Sequence, residues 1–163
     1  MSAIKKILVP TDFSEASKAA LKYACEIATA TNASLCILHT VENPYLVGGL
    51  PDYSSLPQDY FEQLERSARR DLEAFPEAVI TPDEGKRYRV RLVLRRGVAA
   101  QEILLYLQEH PDVDLVVMAT HGRGGVARLM MGSVADTLVQ TARCPVLTIR
   151  VPDVEETKAR RAA

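Results

Sequence analysis

The apolar positions of the chain change period several times, and each change marks an element. Ile7-Leu8-Val9 is a short continuous apolar run stopped by Pro10, the pattern of a strand buried on both faces of a parallel sheet. From Ser14 to about Ala30 the period lengthens. Ala20, Tyr23, Ala24, Ile27 and Ala28 share one side while Glu15, Lys18, Lys22 and Glu26 take the other, which predicts an alanine-rich amphipathic helix. Leu35 to Val41 is nearly all apolar again and predicts a second strand.

Residues 43–57 carry Pro44, Pro51, Pro57 and the pair Gly48-Gly49, so a long loop is expected there. A helix follows from about Gln58 to Ala74, with Phe61, Leu64, Ala68 and Leu72 inward and Glu62–Arg66, Glu65–Arg69 and Arg69–Glu73 along its outer side. Pro76 to Gly85 reads as a second loop. In Arg89 to Leu94, Val90, Leu92 and Leu94 alternate with Arg89 and Arg91, and arginines on one side predict an edge strand. Ala100, Ile103, Leu104 and Leu107 give the next helix, ended near His110 by Pro111. Leu115 to Ala119 is the most apolar strand, and the glycine-rich loop Gly122-Arg123-Gly124-Gly125 comes soon after it. A helix from about Ser133 places Ala135, Leu138, Val139 and Ala142 at core spacing, and Pro145 to Val151 is the last strand. Strands alternating with helices predict an α/β fold: a five-stranded parallel sheet, doubly wound, with helices on both faces in a Rossmann-like arrangement. One domain is expected over residues 1–151, followed by a charged, disordered tail over 152–163.

Composition narrows the function classes. The chain has 163 residues, is 47% hydrophobic and carries 20 Lys+Arg against 21 Asp+Glu, enough for one buried core and close to neutral. No apolar run reaches the roughly 18–20 residues of a membrane span. The opening Met1-Ser2-Ala3-Ile4-Lys5-Lys6 lacks the apolar centre of a signal peptide, so a cytoplasmic protein is expected. Near-neutral charge supplies no general field for nucleic acid or an anionic membrane, and neither partner is expected. The cations near the fifth predicted element (Lys86, Arg87, Arg95, Arg96) come without interleaved stacking aromatics or a nucleic-acid motif. Cys25, Cys36 and Cys144 are odd in number and widely spaced. They suit burial as small hydrophobes better than a disulfide framework or a zinc site.

In open α/β sheets, ligands bind beyond the carboxyl ends of the strands, where the winding reverses. Thr11-Asp12 follows the first predicted strand, His39 and Val41 end the second, and Thr120–Ser133 follows the fourth. Gly122-Arg123-Gly124-Gly125-Val126-Ala127 matches G-x-G-x-x-A, but it follows the wrong strand for a dinucleotide fingerprint and no acid lies in 140–149. A Walker loop is absent. A different spacing stands out: Gly122, nine residues, then Gly132-Ser133 at a helix start. Glycines bracketing a loop let backbone N–H groups approach phosphate, and a helix N-terminus adds donors and a favourable dipole. Ser133-Val134-Ala135-Asp136 is equally a capping box that needs no ligand, and Asp12 equally a turn or cap residue. Both pairs of readings stand open at this point.

Several segments together resemble the universal stress protein family across essentially residues 3–150. They are Ile7-Leu8-Val9-Pro10-Thr11-Asp12-Phe13-Ser14, Val117-Met118-Ala119-Thr120-His121-Gly122-Arg123, Gly132-Ser133-Val134-Ala135 and Cys144-Pro145-Val146-Leu147. The ATP-binding branch of that family carries G-x-x-G, nine residues, then G-S/T. Here the pattern reads Ala119-Thr120-His121-Gly122, nine residues, Gly132-Ser133, with alanine for the first glycine. Alanine is tolerated there if φ is negative. The resemblance implies ATP, with Mg²⁺, as the ligand. It places Asp12 on the ribose or adenine side, and Pro10, Thr11, Val41 and Met118 around the base. The Gly122–Ser133 segment would hold the phosphates, and Ala119, His121, Arg123 and Val134 would complete the nucleotide site. It also implies a homodimer through Pro145–Val151. An ATP-binding stress-response regulator is the leading expectation. A nucleotide-free interaction module is the alternative, and a slow ATP hydrolase or phosphotransferase using Asp12, His39 or His121 comes third, since no nucleophile–base pair or metal-ligand spacing is evident.

Overall fold

The computed structural model describes residues 3–42, 59–120 and 132–150. Five strands form one parallel sheet: β1 (Lys6–Thr11), β2 (Ser34–Val41), β3 (Val90–Arg96), β4 (Leu115–Ala119) and β5 (Val146–Ile149), in the order β3-β2-β1-β4-β5. The four principal helices are α1 (Glu15–Thr31), α2 (Tyr60–Ala74), α3 (Ala99–Glu109) and α4 (Ser133–Thr141). The predicted doubly wound α/β fold is therefore the observed one. The stretch expected as a plain loop after α2 also holds a 3-10 turn, Pro76–Ala78, and a single helical turn, Pro82–Gly85. The latter is closed by a capping box between Thr81 and Glu84.

Alternation of side chains along the strands divides the core in two. Ile7, Val9, Leu35, Ile37, Leu115 and Val117 face α1 together with Leu72 and Phe75, while Leu8, Cys36, Leu38, Val116 and Met118 face α3 and α4. The continuous apolar runs of β1, β2 and β4 follow directly, because each of these strands is covered on both sides. Between the sheet and α3, the Cys36 thiol and the Tyr106 hydroxyl meet at 3.1 Å. Burial pushes both groups above their ordinary pKa, so the contact is between neutral partners.

Two positions read as core from spacing lie outside it. Tyr23 is 49% exposed and Val139 48% exposed, whereas their neighbours Leu21 and Leu138 are fully buried. On α1 the buried stripe runs through Ser17, Ala20, Leu21, Ala24 and Ala28, and on α4 through Ala135 and Leu138, so Leu21 rather than Tyr23 meets the sheet. Helix α1 starts after Ser14, whose hydroxyl accepts from the Ser17 N–H, and stops at Asn32 in the left-handed conformation. No helix among the described residues is long and apolar enough to cross a membrane.

Candidate functional site

Strands β1, β2 and β3 wind in one direction and β4, β5 in the other, so the reversal falls between β1 and β4. Pairing there is short. Only Ile7–Leu115 and Leu8–Val116 are matched, whereas β1 stays paired to β2 as far as Thr11–His39 and β4 to β5 as far as Ala119–Ile149. Beyond Leu8 and Val116 the two central strands run on without pairing to each other. Pro10, Thr11 and Asp12 lie on one side of this parting, and Met118, Ala119 and Thr120 on the other.

The start of α4 lies against the end of β4. The Gly132 N–H donates to the Thr120 carbonyl at 2.6 Å, and Thr120 is itself held by its N–H donating to the Ile149 carbonyl at 3.0 Å. Thr120 and Gly132 are thus joined directly, with α4 beginning immediately after Gly132. Ser133 is the first residue of α4, not its cap: Gly132 occupies the cap position and no side chain bonds there. The capping-box reading of Ser133 and Asp136 is corrected accordingly. A cap must precede the first helical residue, and Ser133 is already helical. Gly132 has φ −57° and ψ 147°, which any residue adopts, so glycine is not demanded there by backbone conformation. Ala119 is a strand residue and is absent from the described non-glycine residues with positive φ, so alanine sits there without strain.

After β1 the chain makes a tight, polar turn that spacing alone did not reveal. The Asp12 Oδ1 accepts from the Ser14 N–H at 3.1 Å, the Ser14 hydroxyl at 2.6 Å and the Ser17 hydroxyl. Phe13 is left-handed at φ 65°, a conformation that costs a bulky residue about 1–3 kcal/mol. Its N–H donates to the Thr11 hydroxyl at 3.0 Å, and its ring lies 4.1 Å from His39 and 5.7 Å from Phe75. These contacts hold the turn. His39 Nδ1 lies 2.8 Å from the Thr11 carbonyl, and a carbonyl only accepts, so Nδ1 carries the proton. His39 thus ties β2 to the end of β1. The signal for this cluster was the run Asp12-Phe13-Ser14 with Ser17 one turn into the helix.

Pro10, Thr11, Val41 and Met118 are all buried at the carboxyl end of the sheet, and Val134 is half-buried beside the α3–α4 core. The sequence-predicted Pro10, Thr11, Asp12, Val41, Met118, Ala119, Gly132, Ser133 and Val134 therefore all occupy that end. His121, Gly122 and Arg123 lie outside the described residues. No group of three or more His, Cys, Asp and Glu among the described residues could hold a metal ion.

The turn makes a prediction independent of any ligand. Asp12→Ala removes the acceptor shared by Ser14 and Ser17 and should lower stability by about 1–3 kcal/mol in urea unfolding. Asp12→Asn keeps an acceptor oxygen and should lose clearly less. Equal losses would show that the shared acceptor does not hold the turn.

The universal stress protein family matches residues 3–150. The universal stress protein MJ0531 of Methanocaldococcus jannaschii is 32% identical over 152 residues, covering 93% of this chain and 85% of that protein. Among solved structures, UspA of Lactobacillus plantarum superposes with a TM-score of 0.77 at 26% identity, over 92% of this chain and all of that one. The universal stress protein of Archaeoglobus fulgidus in complex with dAMP shares the fold, with a TM-score of 0.58 at 20% identity over 91% of this chain and 99% of that one. With a family match across nearly the whole length and the parted β1–β4 sheet beneath it, this chain belongs to the universal stress protein family.

Proposed function

We propose that the chain is an ATP-binding stress-response regulator that works as a nucleotide-dependent homodimeric switch. The observation that carries this reading is the parting of β1 from β4, with Gly132 and the start of α4 brought back against Thr120. Such a crevice is where open α/β sheets take ligands, and a helix beginning there offers N–H donors and a favourable dipole to phosphate. The relative of the same fold in complex with dAMP supports an adenine nucleotide as the ligand class.

In this reading Pro10, Thr11, Val41 and Met118 flank the base and Asp12 faces the ribose or adenine. Ala119, Gly132, Ser133 and Val134, with His121, Gly122 and Arg123, surround the phosphates and their Mg²⁺. The unstrained Ala119 supports the nucleotide-binding reading over the nucleotide-free module. A single domain through residue 151, a charged tail after it and a cytoplasmic location belong to the same proposal.

Calorimetry with ATP and Mg²⁺ tests the site. Gly132→Val places a branched side chain at the phosphate approach without straining the backbone, and should weaken binding by about 1–3 kcal/mol or more. Unchanged affinity overturns the phosphate assignment. A wild-type protein that binds no adenine nucleotide overturns the whole reading in favour of the interaction module.

Turnover should be slow. Fast phosphoryl transfer needs positioned cations on the γ-phosphate and a group orienting the nucleophile, and the sequence offers no Walker lysine. Single-turnover measurement should give a chemical step below about 1 s⁻¹, the lower end of the range typical of kinases. A faster step would mark the chain as an enzyme.

The dimer is assigned to β5. Among the described residues this strand pairs only with β4, and Leu147 is 38% exposed. An apolar edge strand is a liability that a two-fold partner removes. Light scattering should return twice the chain mass at micromolar concentration, and Leu147→Lys should return the chain mass alone. A wild-type monomer contradicts the assignment.

A further inference from the structure

We propose that the outer edge of β3, at the opposite side of the sheet from β5, docks an extended segment of a partner protein in which acidic and apolar residues alternate. The backbone supplies the first part of the argument. The Arg89 carbonyl accepts from the Leu35 N–H at 2.8 Å, and the Gly97 N–H donates to the Val41 carbonyl at 3.1 Å, both toward β2. Successive strand residues turn their N–H and C=O to opposite sides. Arg91, Val93 and Arg95 therefore share the β2 side with Arg89, while Val90, Leu92, Leu94 and Arg96 direct theirs outward. Among the described residues β3 has no strand neighbour on that side and these outward groups have no backbone partner. Four consecutive outward residues are enough to template an added strand.

Side-chain chemistry supplies the second part, and it specifies the pattern of the guest. Val90 and Leu94 pack toward the α1 face of the sheet, with Leu92 between them 36% exposed. Arg89 and Arg91 fall on the α3 face and are both exposed. Arg95 pairs with Glu109, and Arg96 with Glu65, whereas Arg89 and Arg91 have no ion pair among the described residues. From Gly85 to Gln101 the sequence holds Lys86, Arg87, Arg89, Arg91, Arg95 and Arg96 and not one Asp or Glu, in a chain whose net charge is −1. A strand laid about 4.8 Å outside β3 would thus meet cations on one face and aliphatic surface on the other. Its matching pattern is acid, apolar, acid, apolar.

The same charges discriminate between occupants. Two β3 edges brought together would oppose arginine to arginine, so a second copy of this edge is disfavoured. A single-stranded nucleic acid would satisfy the charge but needs aromatic platforms. Tyr88, the aromatic residue of this stretch, is half-buried and packs against the α1-side core. The edge is also independent of the nucleotide reading, because no residue is shared between the two.

The test is fluorescence anisotropy with a labelled Glu-Val repeat peptide, a blocked peptide of the same composition with all glutamates before all valines, and a Lys-Val repeat. The Glu-Val repeat should bind, and the other two should bind at least about tenfold more weakly. Arg89→Glu with Arg91→Glu should lose the Glu-Val peptide and gain the Lys-Val one. Leu92→Pro deletes an outward N–H while sparing the β2 ladder, and should also lose the peptide with its far-UV circular dichroism intact. If Leu92→Pro fails to fold, the charge-reversed variant alone decides. Equal binding of the blocked peptide, or retained binding in the charge-reversed variant, overturns the proposal. Tighter binding of oligothymidylate at the same residues overturns it in favour of a nucleic-acid surface.

Discussion

A parallel sheet that reverses its winding sends the connections after its two central strands to opposite faces, leaving beyond their carboxyl ends a space that deepens where their pairing stops early. In this chain the pairing stops early: β1 and β4 match at Ile7–Leu115 and Leu8–Val116 and then run on unpaired to each other, while their outer neighbours keep them extended. Everything at the carboxyl end depends on that. Pro10 to Asp12 can bound a crevice only because β2 continues to hold β1 through His39, and Thr120 can receive Gly132 only because β5 holds the end of β4.

The turn after β1 illustrates how such an end is kept in shape. A left-handed Phe13 is unfavourable in isolation, yet its ring packs between His39 and Phe75 and its N–H is satisfied by Thr11. Asp12 gathers Ser14 and Ser17, so the start of α1 is fixed relative to the strand it follows. Strain of this kind persists only where the surroundings over-determine it, and it concentrates at sites that must hold a defined shape. The polar cluster and the aromatic stack thus serve one end, the position of Asp12 at the mouth of the crevice.

Much of this was legible in the sequence because burial on both faces leaves unmistakable runs. Ile7-Leu8-Val9 and Leu115 to Ala119 announce central strands, and the arginines of β3 announce an edge. What escaped depends on angles that composition does not encode. Spacing puts Tyr23 and Val139 inward, yet Leu21 takes the inward place on α1, and on α4 the buried residues are the expected Ala135 and Leu138 without Val139. Ser133 looked like a cap because caps and first-turn residues share a chemistry, and only backbone geometry separates them. The left-handed Phe13 could not be read from a residue type that rarely adopts that conformation. The candidate site was legible as a set of strand ends, while the bonds joining them, Gly132 to Thr120 and His39 to Thr11, are tertiary and appear in no local pattern.

The most direct test of the central claim is a backbone amide NMR titration of the intact protein with ATP and Mg²⁺. A nucleotide seated where β1 and β4 part should shift the amides of Thr11, Asp12, Ala119, Thr120, Gly132 and Ser133 together along one saturation curve, leaving β3 unmoved. Shifts confined to other surfaces, or none at all at saturating nucleotide, would contradict the account.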